Sequence, residues 1–326
     1  MGSLPVTAAL TLGLTGPFRR QGADAARGVQ LWAQAAGVGL TLADDRGAKQ
    51  AAAEAYAAWV GRVDLLLGPY SSGLVRAVAP LAARAGRLLW NHGGAADDLA
   101  QPGVVCLPAP ASSYFHVAVD EALARHAERV VVVQDAGPFA RAVAAGAATR
   151  AAGYGLDVRV VDAEAAEAEA AAGTAFLVAG HFDHDAKVVR RLRERSPVVL
   201  GAVAAGIPAF GQELGPAAEG VLGPVQWWPA ARTPEVGPSG AEFARRYQQH
   251  TGQQPSYVAA QAAAAGYLAH AALQRGLAAT DVARWTTSTL LGRFALDAAW
   301  RQVGHRATTV RWQHGRMVPL AHQPTH

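Results

Sequence analysis

The stretch from Val63 to Gly94, VDLLLGPYSSGLVRAVAPLAARAGRLLWNHGG, constrains the fold more than any other part of this chain. It reads as a buried strand at Val63–Leu67, a Gly-Pro turn, a Ser-Ser pair opening a helix, and a second buried strand at Arg87–Trp90. Short apolar runs bounded by turn residues and separated by a helical segment are the βαβ signature of a parallel sheet. Ser71 or Ser72 stands where a helix N-cap belongs, so a hydroxyl and several free backbone N–H groups face one point. Such a point suits a carboxylate or another anion. No nucleophile with its base stands near it, so the segment points to binding before catalysis.

Bulk properties bound the rest. A chain of 326 residues has a length prior of two domains. Apolar residues make up 51% and charged residues 17%, enough for sizeable cores and too few charges for disorder. The net charge of +4 comes from scattered arginines with almost no lysine, and no basic stripe interleaves with aromatics. Nucleic acid is therefore not an expected partner. The single cysteine, Cys106, excludes an intramolecular disulfide and any multi-cysteine metal site. It lies in an apolar run and reads as a small buried hydrophobe. The chain opens MGSLPVTAAL, without a basic segment, long apolar stretch or cleavage site, so no signal peptide is read in it.

Further strands are predicted at Val6–Gly13, Gly39–Ala43, Arg129–Gln134, Leu156–Val161, Ala175–Ala179 and Pro197–Leu200. Helices are predicted at Asp24–Ala36, Ala48–Val60, Ser72–Ala85, Phe139–Ala152, Asp162–Ala172, Asp185–Glu194, Ala241–Gln249 and Pro255–Gly276. Strand and helix alternate throughout, which is the α/β class with doubly wound parallel sheets.

An ordered set of features runs along this frame: LGLTGPFRRQGADAARGVQL, LTLADDRGAKQAAAEAYAAWV, Gly-Pro-x-Ser-Ser, VVVQDAGPFARAVAAGA, AAEGVLGPVQWWP, PSYVAAQAAAAGYLAHAAL and the tail VRWQHGRMVPL. Together they resemble the type I periplasmic solute-binding proteins of ABC importers, in particular the branched-chain amino acid receptor family, over nearly the whole chain. The resemblance implies two Rossmann-like lobes joined by a three-segment hinge, with the ligand cleft between them. Residues 1–114 plus 231–291 would form lobe 1, and 115–230 plus 292–326 lobe 2. The crossings are expected near Ser112–His116, Trp228–Arg232 and Leu291–Phe294. It also implies a non-catalytic, monomeric receptor without cofactor that takes a small-molecule ligand by lobe closure and presents it to ABC permease subunits. The implied location is periplasmic or extracellular, the export segment being absent from this sequence.

Ligands of doubly wound sheets sit beyond the carboxyl ends of the strands, and the resemblance picks out positions there. Gln21 stands where relatives often carry an aromatic. Tyr70, Ser71 and Ser72 form the expected anchor for a ligand carboxylate. Trp90, Asn91, His92 and Gly93 replace a stretch that carries hydroxyls in relatives, and Ala95 lacks one. Phe139 matches an aromatic that packs on ligand, His181 or Phe182 a tyrosine contact, and Trp227 lies at the second crossing. Each also has a structural reading: Ser72 as an ordinary N-cap, Trp90 and Trp227 as core, Asp183 and Asp185 as first-turn residues. A metal site in AGHFDHDA would need a histidine where Ala179 stands, so no metal is expected. The loop around Val203 and Ala204 has no carboxylate to pair with an ammonium, which favours an organic acid or amide with a hydrophobic or aromatic body. The alternatives are an amino acid receptor of the same family and a ligand-sensing regulator on the same scaffold.

Overall fold

The computed structural model describes residues 5–320, which divide into two compact units, 5–110 with Gln226–Arg306, and Ala111–Val225 with 307–320.

In the first unit, β1 (Thr7–Leu12), α1 (Arg19–Ala36), β2 (Gly39–Asp44), α2 (Lys49–Trp59), β3 (Leu65–Leu67), α3 (Ser72–Arg84), β4 (Leu89–Asn91) and β5 (Val104–Cys106) follow one another. The sheet order is β2-β1-β3-β4-β5, parallel throughout. Strands buried on both faces read as continuous apolar runs, which is why Leu65, Leu66 and Leu67 stand in a row. Leu65 and Leu67 join the core under α1, whereas Leu66 joins the core under α2 and α3.

The second unit repeats the plan. It contains α4 (His116–Ala124), β6 (Arg129–Gln134), α5 (Pro138–Gly153), β7 (Asp157–Val161), β8 (Thr174–Ala179), α6 (Phe182–Arg193), β9 (Val199–Ala202), α7 (Pro208–Leu214) and β10 (Leu222–Val225). Strands β7-β6-β8-β9-β10 pair in parallel in the same relative order as the first sheet. The chain then returns to the first unit through α8 (Gly240–Thr251), α9 (Tyr257–Gln274), α10 (Ala279–Val282) and the hairpin β11 (Thr287–Thr289) and β12 (Gly292–Phe294). It ends in the second unit with β13 (Thr308–Gln313), antiparallel to β10, and β14 (Arg316–Pro319).

Two expectations need correction. The alanine-rich segment 162–172 holds only a short 3-10 turn at Ala166–Glu169 in place of a helix. Its propensity yields to tertiary ties: Ala166 is buried in the core, Glu167 bonds Arg191 and Arg195, and Glu169 bonds Arg129. The third passage falls at Arg306–Ala307, so residues 292–306, expected in lobe 2, pack in the first unit. Phe294 and Trp300 enter its core. The Gln302 side chain accepts from the N–H groups of Ala295 and Gly304 and donates to the Leu107 carbonyl. The other two passages fall at Pro110–Ala111 and Val225–Gln226.

Candidate functional site

In a sheet ordered β2-β1-β3, the chain leaves β1 toward one side and β3 toward the other. This opens a crevice beyond the carboxyl ends of those two strands. In the first unit its walls are the loop after β1, which ends at Phe18, and the loop after β3, which holds Tyr70 and Ser71. The Phe18 and Tyr70 rings meet edge to face, 5.9 Å apart. Tyr70 also shares a hydrogen bond with the Tyr257 hydroxyl at the start of α9, and burial pushes Tyr257 up to about 12. Ser71 caps α3, its Oγ accepting from Leu74 N–H at 3.4 Å. Its backbone is held at φ 110° and ψ 145°, a region that costs a non-glycine residue on the order of 1–3 kcal/mol and clusters at functional sites. The first N–H groups of α3 have no partner within the helix.

The neighbouring loop is braced from inside. Ser72 is buried, and its Oγ accepts from Ala96 N–H at 3.0 Å. Asn91 is fully buried with its amide committed: it donates to Gly94 O and Cys106 Sγ and accepts from Gly93 and Gly94 N–H. Gly93 admits no side chain, because a Cβ there would lie 2.7 Å from Tyr70 Cα. His92 is fully buried, and neither ring nitrogen has a partner of hydrogen-bond geometry. Burial pushes it down to about 4, so the ring is neutral. Asp44 is occupied by Leu14, Thr15 and Arg46, and Asp45 is buried with one oxygen accepting from Gly47 N–H.

The second sheet opens the corresponding crevice between β6 and β8. There Asp135 Oδ2 meets His181 Nδ1 across the two loops, and Asp135 Oδ1 accepts from Ala136 N–H. The His181 ring is 5.9 Å from that of His184. His184 Nδ1 reaches Asp185 Oδ1 at 3.2 Å, and Asp185 Oδ2 accepts from Ala204 N–H at 2.9 Å. Burial lifts Asp185 to about 6, while its bond to Asp185 raises His184. Phe139, in the first turn of α5, stands edge to face with Tyr114 at 5.6 Å. Among the described residues no group of three or more His, Cys, Asp or Glu is arranged to hold a metal.

Residues 5–316 match the family described as periplasmic binding protein. The chain belongs to the periplasmic binding protein family. Solved structures agree with that fold. A leucine-binding protein from Thermotoga maritima shares 20% identity, with 97% of this chain and 98% of that chain covered and a TM-score of 0.84. A branched-chain amino acid transporter substrate-binding protein from Streptococcus pneumoniae, solved with isoleucine, shares 18% identity over 97% and 100% with a TM-score of 0.80. A solute-binding protein of an ABC transporter from R. palustris, solved with benzoate, shares 16% over 97% and 96% with a TM-score of 0.78. No curated protein matches the sequence. The family consists of solute-binding proteins, and no helix among the described residues of this periplasmic binding protein is long and apolar enough to cross a membrane.

The fold brings Tyr70, Ser71, Ser72, His92 and Gly93 together at the first crevice, with Gln21 half-buried in the first turn of α1. It gathers Phe139 and His181 at the second. Four expected contacts are committed elsewhere. Trp90 and Trp227 are core residues of the first unit, Trp227 standing edge to face with Phe243. Asn91 spends its amide on its own loop, and Phe182 packs against the core of the second unit. A strand end does not tell which sheet face a tryptophan takes, and both took the core. Sequence reasoning passed over Phe18, Tyr257, Tyr114 and Asp135, and weighed His184 only as a metal ligand. Asp135 alone had a visible signal, a carboxylate directly after the strand that carries the buried run Val130–Val133.

Proposed function

We propose that this protein is a solute receptor of an ABC importer, taking a small organic acid whose carboxylate docks at the Ser71–Ser72 start of α3. In this reading it turns nothing over, works as a monomer outside the cytoplasmic membrane, closes its two units on the solute and hands it to permease subunits. The observation that carries the reading is the helix start itself. Ser71 is held in a strained conformation at a half-buried point, where its own Oγ takes the Leu74 N–H and the N–H groups of Ser72 and Gly73 have no partner within the helix. An anion at such a point gains roughly 0.3–1 kcal/mol from the helix end, more where partly buried.

The choice of an acid over a zwitterion rests on what is missing. A buried ammonium needs a carboxylate or several acceptors, since an unpaired charge costs several kcal/mol. Asp44 and Asp45 are engaged by their own loop, Asp135 by His181, and Asp185 by His184 and Ala204. The loop Val203–Gly206 contains no polar side chain. Phe18, Tyr70 and Phe139 supply aromatic surface for an apolar or ring-bearing body. Asp183 favours the amino acid alternative, because it is exposed in the first turn of α6.

A thermal-shift screen pairing amino acids with their deaminated acids separates the two. Stabilisation by aryl or branched aliphatic acids is expected; stabilisation by leucine, isoleucine or phenylalanine alone overturns it. Replacing Ser71 and Ser72 together by Ala should weaken acid binding by roughly 1–3 kcal/mol, the range for hydrogen bonds to a charged group. Calorimetry with unchanged affinity and intact folding would move the anchor away from α3.

A further inference from the structure

The second crevice contains a pair that the fold alone does not require. Asp135 opens the loop after β6, and His181 stands at the N-cap position of α6 after β8, so the two residues face each other at the point where this sheet reverses its winding. The contact uses Nδ1 of the imidazole, and the ring is otherwise largely exposed, with 59% of its side-chain surface accessible. Asp135 is held below the usual carboxylate range. Burial pushes it up, but the His181 bond, the Ala136 N–H and the neighbouring His184 outweigh that. An ionised carboxylate only accepts, so the shared proton belongs to Nδ1. In the neutral ring Nε2 is then a bare acceptor, fixed in orientation and open to solvent.

We propose that Asp135 is a positioning residue that turns His181 Nε2 into a hydrogen-bond acceptor for the solute, so that the preferred solute is an organic acid with a hydroxyl or N–H group on its body. This rests on the organic-acid reading above and adds to it a second polar requirement. A neutral acceptor discriminates between solutes through what it leaves unpaired, since an acid without a donor strands Nε2 when water is excluded.

Two measurements on the full chain test this. Calorimetric titration with benzoate and with 4-hydroxybenzoate at pH 8 should show the hydroxylated acid bound about tenfold tighter or more, that is about 1.4 kcal/mol. The preference should vanish in His181→Phe and shrink in Asp135→Asn, whose amide no longer dictates the tautomer. Equal affinity for the two acids in the unsubstituted protein, or a preference that persists in His181→Phe, overturns the proposal. The second measurement needs no solute. Nitrogen-15 spectra of the imidazoles in the free protein should show His181 with Nδ1 protonated and Nε2 bare, and a bare Nδ1 overturns the assignment. If leucine binds and neither acid does, the solute class fails, while the tautomer spectrum still decides the role of Asp135.

Discussion

Urea titrations at pH 7 and pH 4.5 should find the protein less stable at the lower pH by several kcal/mol, with buried histidines as the main cause. His92 and His305 are both buried and both pushed down to about 4 by that burial. His305 sits against Gln226 in the first unit, its Nε2 3.1 Å from the Gln226 Oε1. In the unfolded chain each titrates near the ordinary value of 6.5. Between 6.5 and 4 the unfolded state therefore binds more protons than the folded one, so stability falls as pH falls. A displacement of this size corresponds to roughly 3 kcal/mol per group once the window is crossed.

Asp185 works in the opposite direction. Its folded value of about 6 lies above the ordinary aspartate value of 3.8, so the folded state holds its proton more tightly. Its contribution is lost as pH rises through 6 and regained on acidification, offsetting about 3 kcal/mol of the loss. His184 is raised, so its contribution is complete below 6.5 and lost as pH rises through its folded value, and it too offsets part of the loss on acidification from pH 7. Set against Asp185 alone, the two histidines leave a net loss of about 3 kcal/mol; Asp24 and Asp45, raised by burial, reduce it, whereas His270, lowered by burial, and the carboxylates held low, Asp64 and Asp135 among them, add to it. His305→Gln preserves a polar partner for Gln226 without a proton to gain. It should flatten the difference between the two pH values, and Asp185→Asn should steepen it. A His305→Gln protein with the unaltered pH difference would rule out this assignment.

The same burial explains what the sequence could and could not disclose. Parallel strands covered on both faces leave continuous apolar runs, so β3, β6 and β8 stand out directly from Leu65–Leu67, Val130–Val133 and Ala175–Ala179. Helix starts with local chemistry stand out as well, and Ser71 caps α3 where a Ser-Ser pair predicts a cap. The crevices follow from strand order, which is not local. The ordered features along the chain made it legible by resemblance. What stayed hidden was each side chain's choice of partner. Nothing in WNHGGA says that Asn91 spends its amide on Gly93, Gly94 and Cys106, or that Trp90 turns into the core. The passage near Arg306 was hidden for a related reason, since residues 295–305 form little regular structure and are held by Gln302 and Trp300 through contacts distant in sequence.

Gly28→Ala should be among the most destabilising single substitutions in the first unit, although it replaces a poor helix former with the best one. Gly28 lies in the middle of α1, where it packs against α9. A Cβ at this position would fall 2.1 Å from the Ala259 carbonyl oxygen and 2.8 Å from Ala259 Cα. These are backbone atoms of a buried helix, which no rotamer change can clear, so the two helices must separate. One turn further along the interface Trp32 lies against Gly266, where a Cβ would meet its ring at 2.2 Å, so the contact offers no slack. Overpacking typically costs about 1–3 kcal/mol, occasionally more, and a backbone clash belongs at the upper end. The gain in helix propensity is at most about 1 kcal/mol. Gly153→Ala is the matched control, since it ends α5 with nothing within 4 Å of a new Cβ. It should leave stability unchanged or raise it by up to about 1 kcal/mol. Thermal melts should therefore place Gly28→Ala at least roughly 4 °C below the unsubstituted protein and Gly153→Ala at or above it. The effect should also reach the candidate site. The N-terminal end of α1 carries Gln21, and that of α9 carries Tyr257 against Tyr70. Separating α1 from α9 moves one wall of the crevice relative to the other, so Gly28→Ala should weaken acid binding even at temperatures where it remains folded. Unchanged melting would mean that α1 and α9 can shift apart without loss and that this interface does not set the geometry of the crevice.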